Sequence, residues 1–265
     1  MLMASDSSLN SGFAASSPYA QPRTIQSLDE CYFYHTMDVP GHGTIKGEWD
    51  LRGSVDDYLG NFDFKGKRVL DVGAASGILS FHIEKQGAEV VSFDLSENFD
   101  WDIVPFAENN NEIARSERRS HLRKINNGYW LCHQAFQSKA QMVNGVVYDI
   151  PRSIGAVDVA VFGSILLHLR DPFLALENAA ALAKEAIIVS DISPYRKFTS
   201  KFKRNPRFMP RSISPDGITD GWFRLPPLLV QEYLGILGFK KSTIVWNNFK
   251  YGERIRPIYT IIARR

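Results

Sequence analysis

From Lys67 onward, short β-branched runs alternate with helical stretches, and that alternation restricts the chain to a mostly parallel sheet with helices on both faces. Lys67 to Val72 reads as a strand, Gly77 to Gln86 as a helix and Glu89 to Asp94 as the next strand. A third strand is expected within Ala140 to Tyr148, a fourth at Asp158 to Phe162 and a fifth at Ala186 to Ser190. Between the last two lies a helix, Pro172 to Lys184, with Pro172 suited to a first helical turn. Pro227 to Leu237 makes a helix closed by Gly238, followed by strands at Ser242 to Trp246 and Ile258 to Ala263.

Residues 1–23 are dominated by Ser, Ala, Asn and Gly without apolar periodicity and read as a disordered tail. Residues 24–265 read as one domain. Cys31 to Gly53 carries too many aromatics for a linker and is expected as an ordered, irregular segment. Two stretches exceed what strand–helix connections need, about 97–138 and 193–221, and are read as insertions of the kind that carry function. With 44% hydrophobic and 23% charged residues, the body of the chain is excluded from the disordered and fibrous classes. No apolar run is long enough to span a bilayer and no signal-peptide pattern opens the chain, so a cytoplasmic protein without membrane contact is expected. A formal charge of +2 supplies no whole-molecule attraction to nucleic acid. Cys31 and Cys132 are too far apart for a paired zinc motif and read as structural thiols; no metal is expected.

The segment Val69 to Gly77, VLDVGAASG, runs from a strand through a small-residue turn into a helix, which lets backbone N–H groups approach a ligand closely. Asp94, about twenty residues after Gly73, ends the next strand, where a carboxylate can accept both hydroxyls of a ribose. The pair predicts a nucleoside-containing cofactor. A dinucleotide fingerprint would need glycine at positions 75 and 78, where this chain has Ala75 and Ile78, and there is no Walker-type phosphate loop.

These residues resemble motif I of the class I S-adenosylmethionine (SAM) dependent methyltransferases, with Ala75 in place of the middle glycine. Val147 to Pro151 resembles the segment that borders the adenine in that family, and DVAVFGSILLHLRDP, Asp158 to Pro172, resembles its motif IV. The N-terminal YHTMDVPGHGTIKGEWDLR, with LLHLRDP and WFRLPP, is similar to a bacterial subgroup that includes the tRNA wobble-uridine methyltransferases. That branch has Tyr-His-Arg-Arg where this chain has Leu167 to Arg170, a departure that favours ordinary SAM over carboxy-SAM and tRNA.

The resemblance implies a Rossmann-like, doubly wound, seven-stranded sheet, mostly parallel with a reversed last strand, and SAM as cofactor with S-adenosylhomocysteine (SAH) as product. It makes Asp71, Gly73, Ala75, Gly77, Asp94, Leu95, Val147, Tyr148 and Ser164 the candidate cofactor residues. Trp49 and Arg52 are read either as closing over the cofactor, Arg52 on its methionine carboxylate, or as a structural Trp and a surface ion pair. Trp222 and Arg224 are candidate substrate contacts. His168 is the candidate general base for an acceptor hydroxyl, against the alternative of bracing its loop.

Tyr195 to Arg211 holds seven basic residues and no acid, interleaved with Phe198, Phe202 and Phe208. It fits a phosphate-bearing or RNA substrate, or simply a solvated face. Arg115 to Lys124 reads as an exposed helix. The leading expectation is methyl transfer to an oxygen, with nitrogen second, of a small metabolite or glycan. The rivals are the same chemistry on tRNA and a non-catalytic SAM-fold binding protein.

Overall fold

A computed structural model describes residues 17–107, 111–211 and 221–265. In chain order it forms strands β1 (Met37–Val39), β2 (Gly43–Ile45) and β3 (Trp49–Asp50) and the short helix α1 (Val55–Tyr58). Next come β4 (Arg68–Val72), α2 (Ile78–Lys85), β5 (Glu89–Asp94), α3 (Asn111–Ala135), β6 (Gln141–Asn144), β7 (Val157–Gly163), α4 (Pro172–Ala180) and β8 (Ala183–Asp191). The chain ends with α5 (Lys197–Ser200), β9 (Arg207–Phe208), β10 (Phe223–Arg224), α6 (Pro227–Ile236), β11 (Lys241–Tyr251) and β12 (Arg254–Arg264).

Eight strands make the central sheet, in the order β3-β11-β12-β8-β7-β4-β5-β6. Strands β4 to β8 pair in parallel, and β12 runs antiparallel to both β8 and β11. The expected reversed last strand is therefore present, but the expected count of seven is one short. The extra strand is β3, from the N-terminal segment, which pairs with β11 at the sheet edge.

Side chains alternate between faces along each strand, and the two cores follow that period. Val69, Val159, Val161 and Ile188 enter one core with Tyr58, Leu79, Phe81, Tyr129 and Cys132. Leu70, Ala160, Phe162 and Ile187 enter the other with Leu176, Ala179, Val230 and Leu234. Helices α1, α2 and α3 thus cover one face and α4 and α6 the other, each fully buried apolar side chain contributing about 1.5 to 3 kcal/mol.

Three expectations change. Residues 97–138 are less an insertion than a crossover: over its basic first half α3 is only partly exposed, with Arg115, Arg118 and His121 half-buried and Leu122 buried, and its second half buries Ile125, Tyr129, Trp130 and Cys132. The charges of Arg115 to Lys124 hide that apolar stripe in the sequence. The helix expected to reach Lys184 stops at Ala180, because Ala183 and Lys184 already belong to β8. Of the expected tail, residues 1–16 lie outside the described residues, whereas 17–23 are docked: the Ala20 N–H donates to Met142 O at 2.7 Å, Arg68 reaches the Tyr19 hydroxyl at 3.1 Å, and Arg23 pairs with Glu97 at 3.0 Å. Within the second expected insertion, β9 pairs with β10, which follows just beyond it, and residues 212–220 lie outside the described residues.

Candidate functional site

Strand β4 has β5 on one side and β7 on the other, so the chain reverses its direction of travel across the sheet there. In doubly wound sheets the crevice outside the carboxyl ends at such a switch point is where ligands sit. A cavity of about 610 Å³ opens at that place, lined by residues from the ends of β4, β5, β6, β7 and β8.

Its floor is the turn between β4 and α2. Gly73 has φ +80°, and a side chain there would run into Ile165, whose Cδ1 lies 2.7 Å from an added Cβ. Gly77, at φ +89°, is the N-cap of α2, and an added Cβ would come 2.3 Å from Phe81. Ala75, which stands at the middle glycine position, also adopts a left-handed conformation, with φ 48°. Its N–H donates to Asp94 Oδ2 at 2.6 Å, and the Leu95 N–H donates to Asp94 Oδ1 at 2.7 Å. An ionised carboxylate offers about four acceptor sites, so these two bonds hold Asp94 in place and leave capacity for a pair of ligand hydroxyls. Burial pushes its pKa up to about 6, against the pull of the two N–H donors.

Asp71 lies beneath this floor and does not line the cavity. It is fully buried, accepts the Ser80 hydroxyl at 2.6 Å, and through Ser80 joins Ser92 and the Tyr129 hydroxyl, each step 2.8 Å. Burial raises its carboxyl to about 7. Its place is that of a brace between β4, α2, β5 and α3 rather than of a ligand contact.

Gly145, Val146, Val147 and Tyr148 form the wall beyond β5, with Leu122 and Ile125 of α3. The Tyr148 hydroxyl donates to Asp102 and accepts the N–H groups of Arg170 and Asp171 at 2.8 and 3.1 Å, tying this wall to the loop after β7. On that loop Ser164 has φ 53°, a strained conformation for a residue with a side chain. Its N–H donates to Ser190 O at 2.7 Å, and its hydroxyl bonds that of buried Tyr58 at 2.8 Å. His168 lines the same wall, edge-on to Trp101 at 6.0 Å between ring centres.

The remaining wall sets Trp49, an expected site residue, among others that sequence reasoning did not single out. Glu48 accepts the hydroxyls of Tyr32 and of Tyr251, the latter at 3.1 Å, and Trp49 packs on Tyr251 with ring centres 4.7 Å apart. His35 also lines the cavity; burial lowers its pKa to about 4, and its buried Nδ1 has no hydrogen-bond partner among the described residues. The aromatic richness of Cys31 to Gly53 was the one available signal for these residues.

Ten of the expected site residues line the cavity: Gly73, Ala75, Asp94, Leu95, Val147, Tyr148, Ser164, Trp49, His168 and Arg224. Asp71, Gly77, Arg52 and Trp222 do not. Arg52 is held outside by ion pairs to Asp38 at 2.9 Å and Asp50 at 2.8 Å. Trp222 stands one layer back, donating its ring N–H to Asp102 O at 2.7 Å beneath the Arg170 guanidinium.

A family model described as a methyltransferase domain matches residues 50–217. No curated protein matches the chain. Among solved structures, the N-terminal domain of EvdMO1 crystallised in the presence of SAH and D-fucose is 15% identical, with a TM-score of 0.56 over 90% of this chain and 93% of that one. The same domain with SAH bound gives 14% identity and a TM-score of 0.52 over the same shares. Magnesium protoporphyrin IX methyltransferase from Synechocystis PCC 6803 with bound SAH is 15% identical, with a TM-score of 0.49 over 79% of this chain and 80% of that one. At these identities the likeness is one of fold.

Proposed function

The chain belongs to the methyltransferase-domain family, and from that premise we propose that it moves the methyl group of SAM to an oxygen, with nitrogen the second choice, of a small metabolite or glycan. SAM dependence follows from the family and the fold. The observation that carries the reading is Asp94, oriented by the N–H groups of Ala75 and Leu95 with acceptor capacity left over, at the wall of a cavity within the usual size range for cofactor sites. The orphaned His35 Nδ1 and the close backbone approach at Gly73 fit the same ligand.

In this reading Asp94 accepts the ribose hydroxyls, Leu95, Val147 and Tyr148 flank the adenine, and Gly73, Ala75 and Ser164 border the methionine arm, with Trp49 at its far side. Asp71 and Gly77 support that turn from below. When bound, SAM supplies an electrophilic methyl on a sulfonium. Displacement at that carbon needs the acceptor aligned and dry, and the aromatic walls of Trp49, Trp101 and Tyr251 exclude water there. His168 takes the proton that a hydroxyl acceptor gives up, and Arg224 contacts the acceptor, with Trp222 supporting the loop behind it.

Calorimetry tests the cofactor: SAM and SAH should bind with micromolar affinity and raise Tm, and binding of NADH in their place would end the reading. Incubation with labelled SAM and host extract, followed by mass spectrometry, identifies the acceptor; SAH formation with any acceptor excludes a non-catalytic binding protein. One observation favours RNA as acceptor, the exposure of Phe198, Phe202 and Phe208 among the cations of 196–211. An RNA site using four or more of those cations would give a salt slope of about −3 in log K against log salt; we expect a shallow or flat one.

A further inference from the structure

Apart from Arg118, whose guanidinium lies over the Trp101 ring, the carboxylates and arginines of the cavity wall fall into two groups. Every carboxylate there is already engaged by donors of the protein: Glu48 by two tyrosines, Asp94 by two backbone N–H groups, Asp100 by Arg115 and Arg119, and Asp102 by Tyr148 and the Arg170 N–H. Arg224 and Arg256 line the same cavity, half-buried, and neither makes a hydrogen bond or ion pair among the described residues. Asp191, a carboxyl buried at the end of β8, lies within the field of Arg224. A partly desolvated cation without a partner is unfavourable, and two in one cavity make it attractive to an anion.

Two further observations sharpen this. Arg207 lies directly opposite Arg224 in the β9–β10 ladder, so both project from one face of the ribbon, and like charges so placed destabilise it unless an anion lies near them. Residues of β12 before Tyr259, which pairs with the last residue of β8, extend beyond the ends of the parallel strands, and Arg256 is among them. Strand β12 is four strands from β5, about 19 Å across the sheet, whereas the methionine arm of SAM adds five bonds, at most about 8 Å, beyond the sugar. Arg256 therefore stands at the acceptor end, and Arg224, in the field of Asp191 at the end of the neighbouring β8, stands on the same side of the cavity.

Resting on the methyltransferase reading above, we infer that the methyl acceptor carries an anionic group, a carboxylate or a phosphate, held by Arg224 and Arg256 with Arg207 at the rim. The Trp49–Tyr251 pair, on the two strands that lie beyond β12 at the sheet edge, supplies a flat apolar wall for the rest of the molecule.

The test is calorimetry at low ionic strength on the full chain saturated with SAH, titrating inorganic phosphate, benzoate and neutral benzyl alcohol. At least one anion should bind, and benzyl alcohol about tenfold or more weakly; phosphate against benzoate tells which anion the site prefers. Arg224→Gln and Arg256→Gln should each weaken the anion about tenfold, the scale of a charge-assisted hydrogen bond, while Arg256→Lys retains part of the affinity and SAH binding stays within about twofold. Equal binding of the neutral alcohol, or anion binding indifferent to both Gln variants, overturns the inference. So does a large loss of SAH affinity in those variants, which would give the arginines to the methionine carboxylate. A wild-type chain that binds no SAH at all overturns the cofactor reading, and the acceptor inference with it.

Discussion

In the proposed function, Asp94 concentrates the cofactor chemistry in one side chain. Its two protein donors leave acceptor sites for a ribose, so Asp94→Ala should weaken SAH binding by about 1.5 to 3 kcal/mol while leaving the turn glycines in place. Burial raises the carboxyl to about 6, and protonation removes an acceptor, which sets the sign of the pH effect. SAH affinity should be level above about pH 7 and fall by up to about tenfold per unit below pH 6, a fall that Asp94→Asn abolishes; isothermal titration at several pH values reads it directly. His168, on the loop after β7, is the proposed proton acceptor. His168→Ala should lower kcat about 10²-fold for a hydroxyl acceptor and leave SAH binding nearly unchanged; a change of only a few-fold makes the residue a brace for its loop.

At the level of elements, the site depends on how α2 leaves β4. Gly77→Ala would place a side chain at φ +89° and drive it into Phe81, so a loss of at least about 1 to 3 kcal/mol is expected from backbone strain alone, seen as a lower urea midpoint together with weaker SAH binding. Helix α4 is the contrasting case, remote from the floor. It is started by Asp171, which accepts the Leu174 N–H at 3.0 Å, and by Pro172 in its first turn. Leu176 on its inner face is fully buried, so Leu176→Ala should cost about 2 to 5 kcal/mol without altering cofactor affinity in the folded fraction. The start of α4 at Pro172 was legible in the sequence, whereas its end at Ala180 was not. Nor was the apolar half of α3, since its charged first half sets the apparent character of the whole stretch.

At the scale of the whole molecule, three buried carboxyls stand high among the described residues: Asp71 and Asp191 at about 7 and Asp94 at about 6. Each keeps its proton in the folded state at pH values where the unfolded chain, with a carboxyl near 3.8, has lost it, so each makes stability fall as pH rises through that window. His35, lowered to about 4, acts in the opposite direction between about 4 and its unfolded value. Asp38, Asp50 and Glu232, lowered by arginine partners and, for Asp38, by Thr44, add stability that is lost only at lower pH. The sum predicts that unfolding free energy declines from about pH 4 to 7, and that Asp71→Asn flattens the decline by up to about 1.4 kcal/mol per pH unit, the slope of one proton. Urea titrations across that interval measure it, and stability rising throughout would contradict it.

The strands, the small-residue turn and Asp94 could be read from the chain because each is decided locally. Strand burial shows in consecutive β-branched residues, and a left-handed turn needs small side chains where it bends. The count of strands could not, since β3 exists only because Trp49 and Asp50 meet β11 about two hundred residues later. That same pairing brings Glu48, Trp49 and Tyr251 together. The charges were undecided for a like reason: Arg52, Arg224 and Arg256 are equivalent cations in sequence. Only the folded chain sets carboxylates against Arg52 and leaves the other two facing the cavity, because Coulomb partners are chosen by distance through space and not along the chain.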